Sequence, residues 1–191
     1  MRSGVDVVMF SGDKLFGGPQ AGILVGKQDA VRELRANPMY RALRLDKVGL
    51  AGLERTLSLY LEGRADEVPA RRALLADSAA IADHARELAA RLDAHPDLEA
   101  RVATDGSQPG SGSAPGVLLE TSVVRLASRS LATETLAERL RVGEPPVFAR
   151  IQDDELVFDL RALLPDELGE LEAAVRAAVE GESPARRSTP A

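Results

Sequence analysis

The sequence contains no cysteine, no tryptophan and few other aromatic residues. The absence of cysteine excludes disulfide scaffolds, cysteine nucleophiles and thiolate metal sites, and it is compatible with a reducing cytoplasm. Aromatic residues make up only 3% of the 191 residues, so the core must be built from leucine, valine, isoleucine and alanine. The two histidines, His84 and His95, have no supporting ligand pattern around them, and we expect no metal site.

Positive charge and long apolar runs are also scarce. The formal net charge is -6 and the isoelectric point is about 5.1. This balance argues against a protein that grips nucleic acid by itself, because such binding needs clustered lysine and arginine. No apolar run approaches the roughly 20 residues that cross a bilayer, and the apolar N-terminal stretch is too short for a signal peptide. We therefore predict a soluble, cytoplasmic protein with no membrane segment.

The chain has two parts with different patterns. Residues 1–68 resemble the end of an α/β sheet domain and begin with an apolar, β-branched run, Val5–Phe10, that predicts a buried strand. Residues 69–181 predict a smaller α+β domain, and residues 182–191 a disordered tail. The other predicted elements are helices at 28–36, 46–62, 70–94, 133–141 and 165–180, strands at 21–26, 98–103 and 117–126, a loop at 105–116, and a hairpin with strands at 147–151 and 155–160.

The densest chemical signal is the string SGDKLFGGPQAG at residues 11–22. A lysine that follows a buried strand and lies beside glycines is unusual, and burial would favour the free amine that Schiff-base chemistry needs. Ser11, three residues before Lys14, could donate its hydroxyl to a cofactor phosphate. The alternative is a surface turn with an incidental lysine. A serine-acylating Ser-x-x-Lys motif opens a helix, which Gly12 and the following Gly-Gly-Pro disfavour.

The longer string SGDKLFGGPQAGILVG resembles the active-site segment of the bacterial selenocysteine synthase family, the L-seryl-tRNA(Sec) selenium transferases. The similarity continues in an arginine-containing segment at 37–47, a Gly/Ser loop at 107–113 and a hairpin at 145–160. It covers nearly all of residues 4–178. The lysine string is the specific part, and the other segments support it.

The resemblance implies an α/β fold, namely the end of an aspartate-aminotransferase-type (fold type I) large domain of a pyridoxal 5'-phosphate (PLP) enzyme, followed by a small α+β C-terminal domain. It implies that Lys14 binds PLP and that the enzyme converts seryl-tRNA(Sec) to selenocysteinyl-tRNA(Sec), with selenophosphate as the selenium donor. PLP would act as the electron sink while the protein orients it. The resemblance also implies a homo-oligomer built from dimers.

Three further residues take possible roles from the resemblance. Arg41 and Arg44 would face the active site and hold the anionic groups of the selenium donor, because arginine keeps its charge and presents a fixed fork of donors. Two arginines three residues apart share a face only if the segment is helical. The alternative is an exposed basic stretch on a loop. Asp13 would tune Lys14 or contact the substrate, and the alternative is that it caps the turn.

The sequence departs from the family by what it leaves out. The residues that grip the PLP phosphate, stack on the ring and pair with the pyridine nitrogen normally precede the lysine, and the family's N-terminal tRNA-binding portion is also missing. We expect a gene fragment, a wrong start or one piece of a split protein, which carries half an active site and is inactive alone. The alternatives are a related fold type I PLP lyase that acts on a small amino acid or amino sugar, and a non-catalytic fragment that associates through exposed apolar strands.

Overall fold

The computed structural model describes residues 4–110, 112–164 and 166–181, and these form two compact units. Among the described residues, the first unit contains 4–75 together with the 108–117 segment, and the second contains 76–107 and 118–181. Each unit combines helices with antiparallel strands, so the fold is mixed α/β. None of the described helices combines the length and the apolar composition that a membrane span requires. The predicted tail at 182–191 lies outside the described residues.

The first unit opens with two antiparallel strands. They are β1 (Val7–Ser11) and β2 (Gly22–Gly26), and they pair from Val7 opposite Gly26 to Ser11 opposite Gly22. Both strands were predicted within two residues of their bounds. Four helices follow: α1 (Gln28–Ala36), α2 (Pro38–Ala42), α3 (Lys47–Leu61) and α4 (Pro69–Leu75), with a 3-10 turn at Ala65–Glu67 before α4.

Local side-chain signals set the ends of these helices. The side chain of Asn37 accepts a hydrogen bond from the Met39 amide at 2.9 Å, and Pro38 takes the first helical position of α2. The Asn-Pro pair that ends α1 therefore also begins α2. We predicted the end of α1 at this pair but not the second helix. Asp46 caps α3 by accepting from the Gly49 amide at 2.7 Å, which confirms the helix predicted at 46–62 with each end one residue shorter.

The prediction that the first strand is buried is wrong for this structure. Four of the five residues of β1 are exposed, and Met9 exposes 74% of its surface. An apolar, β-branched run favours strand geometry, but burial needs a second layer packed on the strand. In the described part of the chain β1 pairs with β2 alone, and a two-stranded sheet leaves much of both faces open.

The second unit is a four-stranded antiparallel sheet with three helices. The elements are α5 (Ser78–Asp93), β3 (Leu98–Ser107), β4 (Leu119–Ser128), α6 (Thr133–Val142), β5 (Arg150–Gln152), β6 (Glu155–Asp159) and α7 (Glu167–Glu180). The strand order is β3-β4-β6-β5. The sheet is entirely antiparallel, which permits one face to pack on the core while the other carries polar residues.

The predicted hairpin near residue 153 is confirmed, with a shorter first strand. Asp153 and Asp154 form its turn with φ values of 53° and 61°. Two successive positive φ values are typical of the turns whose twist matches that of paired strands, and aspartate tolerates them better than most residues. The hydroxyl of Thr133, at the start of α6, donates to the carbonyl oxygen of Asp154 at 2.6 Å. The turn is thereby fixed to a helix as well as to its own strands.

One continuous apolar cluster joins the three helices to one face of this sheet. Alternate residues on β4 and β6 point into it. On the other face Arg125 pairs with Glu155 at 3.0 Å. Val123 and Val157 are also buried on that face, so the sheet is covered in part on both sides. Fully buried members of the cluster are Ala85, Leu88, Leu92, Val124, Leu126, Leu156 and Val175.

The single long helix predicted at 70–94 is wrong, because the chain forms two helices there. Between α4 and α5, Asp77 takes an extended backbone conformation, and its carboxylate accepts a hydrogen bond from the Ala79 amide at 3.1 Å. Asp is a preferred N-cap, so it starts a new helix at Ser78. The alanine-rich composition of the segment outweighed this local signal in the prediction. The predicted loop at 105–116 also begins later, because β3 continues to Ser107.

Replacing Leu88 by alanine should destabilise the second unit by about 2–5 kcal/mol, since a fully buried leucine loses its contacts and leaves a cavity. Leu118→Ala is the control, because this leucine is 64% exposed and should cost less than about 1 kcal/mol. Urea denaturation followed by circular dichroism measures both losses. Similar losses from the two variants would show that the core is assigned to the wrong face.

Candidate functional site

Lys14 lies in a closed turn that joins β1 to β2, here called the lysine turn (residues 11–19). The Gly12 amide donates to the Ala21 carbonyl at 2.8 Å, and the Gly18 amide donates to the Gly12 carbonyl at 2.7 Å. Within the turn, the Gly17 amide donates to the Lys14 carbonyl at 2.9 Å. These bonds confirm the turn predicted after the first strand, and they give Lys14 a defined backbone position.

The amine of Lys14 is accessible. Its side chain is 53% exposed and forms an ion pair with the adjacent Asp13. The hydrogen bond that Lys14 donates holds the pKa of Asp13 below its ordinary value, against a smaller opposing effect of desolvation, so Asp13 is ionised at neutral pH. The expected burial of the lysine is therefore wrong for this structure. The amine contacts the neighbouring carboxylate and does not lie in an apolar environment.

Three of the five predicted site residues share the lysine turn. Ser11 is exposed at the end of β1, and Asp13 and Lys14 follow it directly after Gly12. Arg41 and Arg44 lie elsewhere in the first unit. Both are exposed, and neither side chain forms a hydrogen bond or ion pair with another described residue. Helix α2 contains Arg41 but ends before Arg44, so the condition for the two to share a helical face is not met.

The lysine turn packs closely against α3 and against the start of α4. Gly17 has a φ of +75°, and a Cβ there would lie 2.5 Å from Cγ1 of Val68. A Cβ on Gly12 would lie 2.8 Å from the carbonyl oxygen of Pro19, and a Cβ on Gly52 of α3 would lie 3.3 Å from the Pro19 ring. A side chain at Gly17 or Gly12 would therefore force a neighbour to move, whereas at Gly52 a small shift of the Pro19 ring would make room.

Three of the protein's six aromatic residues gather beside the lysine turn. The rings of Phe16 and Tyr60 stack with centroids 5.0 Å apart and planes at 10°, and Phe10 meets Phe16 edge-on at 6.0 Å. We did not predict this cluster from the sequence. The sequence did contain a signal for it. Aromatic residues are rare in this chain, yet two of them flank the lysine within four positions.

The second unit has a cavity of about 490 Å³ between the hairpin segment and the start of α7. Phe148, Asp159 and Leu171 are among the residues that line it, and none of the predicted site residues does. Ser107, the first residue of the predicted Gly/Ser loop, donates its hydroxyl to Asp159, which also accepts from Thr121 at 3.0 Å. In the part of the chain that the structure describes, no group of three His, Asp or Glu side chains could hold a metal ion.

The fold and the turn together define a mixed α/β protein that carries an accessible lysine between glycines. The family model described as "SelA: L-seryl-tRNA selenium transferase" matches residues 1–164. The chain therefore belongs to the L-seryl-tRNA selenium transferase family, which confirms the resemblance inferred from the lysine string.

Individual relatives agree with this assignment. The chain is 44%, 41% and 43% identical to the L-seryl-tRNA(Sec) selenium transferases of Aquifex aeolicus, Alkaliphilus oremlandii and Moorella thermoacetica. The alignments cover 86%, 87% and 95% of this chain but 36%, 36% and 39% of those proteins. The chain thus spans somewhat more than a third of the length of the curated relatives it matches.

A solved structure supports the fold. The chain is similar to D-glucosaminate-6-phosphate ammonia-lyase with a TM-score of 0.58 and 22% sequence identity. The similarity covers 94% of this chain and 45% of the lyase chain. At this identity the similarity describes the course of the backbone and not the reaction.

Gly17→Ala should destabilise the first unit more than Gly63→Ala. Both glycines have φ near +75°, where alanine costs about 1–2 kcal/mol. A Cβ at Gly63 meets nothing within 4 Å, whereas at Gly17 it meets Val68, which adds about 1–3 kcal/mol of overpacking. Chemical denaturation gives both losses, and hydrogen exchange of the Gly18 amide locates the effect. Equal losses would contradict the close contact between Gly17 and Val68.

Proposed function

We propose that this chain supplies the cofactor-binding lysine of a PLP-dependent enzyme that converts seryl-tRNA(Sec) to selenocysteinyl-tRNA(Sec) with selenophosphate. The observation that carries the proposal is the lysine turn itself, where the family-like string forms a closed turn with an accessible amine. Membership of the selenium transferase family supports the choice of reaction. The two parts, 1–68 and 69–181, would belong to the large and the small domain of a fold type I enzyme.

The residues of the lysine turn fit the aldehyde and the phosphate of PLP. The exposed side chain of Lys14 would hold the aldehyde end of PLP, and the exposed hydroxyl of Ser11 would donate a hydrogen bond to a phosphate oxygen. When bound, PLP supplies an electron sink for chemistry at the Cα of the seryl group. Asp13 orients the Lys14 side chain through their ion pair.

Arg41 and Arg44 are proposed to bind the anionic oxygens of selenophosphate. Both guanidinium groups are exposed and unengaged by other described residues, so their donors are open to an anion. Arg41 lies within α2 and Arg44 follows its end, so the backbone holds the two side chains differently. The proposal also includes a cytoplasmic location and a homo-oligomer built from dimers.

Incubation with PLP, reduction with borohydride and peptide mapping should label Lys14 selectively. Lys27 provides an internal reference, because its side chain is 63% exposed and also pairs with an aspartate, Asp6 at 2.5 Å. Exposure and ion pairing are thus matched between the two lysines, and selective labelling must come from the surroundings of Lys14. The label should disappear in Lys14→Arg and persist in Lys27→Arg.

Two results would count against the proposal. Labelling spread evenly over Lys14, Lys27 and Lys47 would show that PLP reacts with any accessible amine of the chain. Labelling that survives Lys14→Arg unchanged would place the reactive amine elsewhere. Circular dichroism of each variant checks that the substitutions leave the fold intact.

A further inference from the structure

Tyr60 of helix α3 contacts the lysine turn in two ways. Its hydroxyl donates a hydrogen bond to the carbonyl oxygen of Phe16 at 3.0 Å, across 44 residues of sequence. Its ring stacks on the Phe16 ring at a centroid distance of 5.0 Å. Because Phe16 is two residues after Lys14, both contacts act on the backbone segment that carries the amine.

The Tyr60 side chain is itself supported. The guanidinium carbon of Arg71 lies 5.7 Å from the centre of its ring, within the range of a cation–π contact. Helix α3 is capped by Asp46 at its start, and Thr56, one turn before Tyr60, is buried. The hydroxyl therefore reaches the turn from a well-anchored helix and not from a free side chain.

The other hydrogen bonds of the turn do not hold the Phe16 carbonyl. Backbone bonds at Gly12 and Gly18 close the base of the turn. Between them, the Gly17 amide bonds to the Lys14 carbonyl, and the Phe16 carbonyl accepts from Tyr60. Without the hydroxyl, the segment around Lys14 and Phe16 could open locally while the base stays closed.

We propose that Tyr60 is a positioning residue that holds the lysine turn in the orientation in which the Lys14 amine reacts. It acts on the amine through the Phe16 carbonyl. The consequence for cofactor binding rests on the proposed function, whereas the effect on the order of the turn does not.

Cleavage by a lysine-specific endoprotease tests the order of the turn directly. The chain has three lysines, Lys14, Lys27 and Lys47, so the other two sites report on the rest of the first unit. Tyr60→Phe keeps the ring and removes the hydroxyl. It should speed cleavage after Lys14 by about 3- to 10-fold, the effect of losing one ordinary hydrogen bond on a local opening equilibrium, and leave the other sites unchanged.

The second tyrosine of the chain, Tyr40, supplies the matched control. It is 50% exposed, and Tyr40→Phe should leave cleavage at all three lysines at the wild-type rate. Wild-type cleavage after Lys14 in Tyr60→Phe would overturn the inference. An equal rise at all three lysines would also overturn it, because the hydroxyl would then support the whole unit and not the turn.

PLP labelling tests the consequence for the amine. If wild-type Lys14 is labelled selectively, Tyr60→Phe should slow that labelling by about 3- to 10-fold, with the background at Lys27 unchanged. Unchanged labelling of Lys14 would overturn the positioning role even if cleavage rises. If the wild-type chain shows no selective labelling, the proposed function fails, and the cleavage comparison alone decides the role of Tyr60.

Discussion

The close approach of the lysine turn to its neighbours is the constraint on which the first unit depends. At Gly17 the backbone comes so near Val68 that a single added carbon would lie 2.5 Å from a methyl group. That approach brings Phe16 onto the ring of Tyr60 and Pro19 against α3. The position of the Lys14 amine follows from these contacts, because the side chain projects from a turn whose backbone has little room to move.

The electrostatics of the turn follow from the same arrangement. The turn leaves Lys14 accessible and places it beside Asp13, whose pKa falls because it accepts a hydrogen bond from the amine. The surroundings of the amine are therefore a charged neighbour and solvent, and not the apolar environment that the sequence led us to expect.

The two units differ in how well local patterns predicted them. In the second unit, alternation on β4 and β6 and helical spacing on α5 and α7 point to one core, and the predicted hairpin and final helix were found. In the first unit the pattern of β1 predicted the strand but not its exposure, because a strand's conformation depends on its own residues and its burial depends on what packs over it. The break at Asp77 was missed for a different reason. The alanine-rich composition favoured one long helix, and we did not recognise the single residue that caps a new one.

The sequence by itself determined the lysine turn, most helix and strand positions and the family, because glycines, prolines, caps and a specific string act within a few neighbouring residues. Only the tertiary structure decided that Lys14 is exposed, that Arg41 and Arg44 do not share a helical face, and that Tyr60 bonds to Phe16. The physical reason is distance along the chain. A contact that spans 44 residues leaves no periodic trace in the sequence, and exposure is a property of everything that surrounds a side chain.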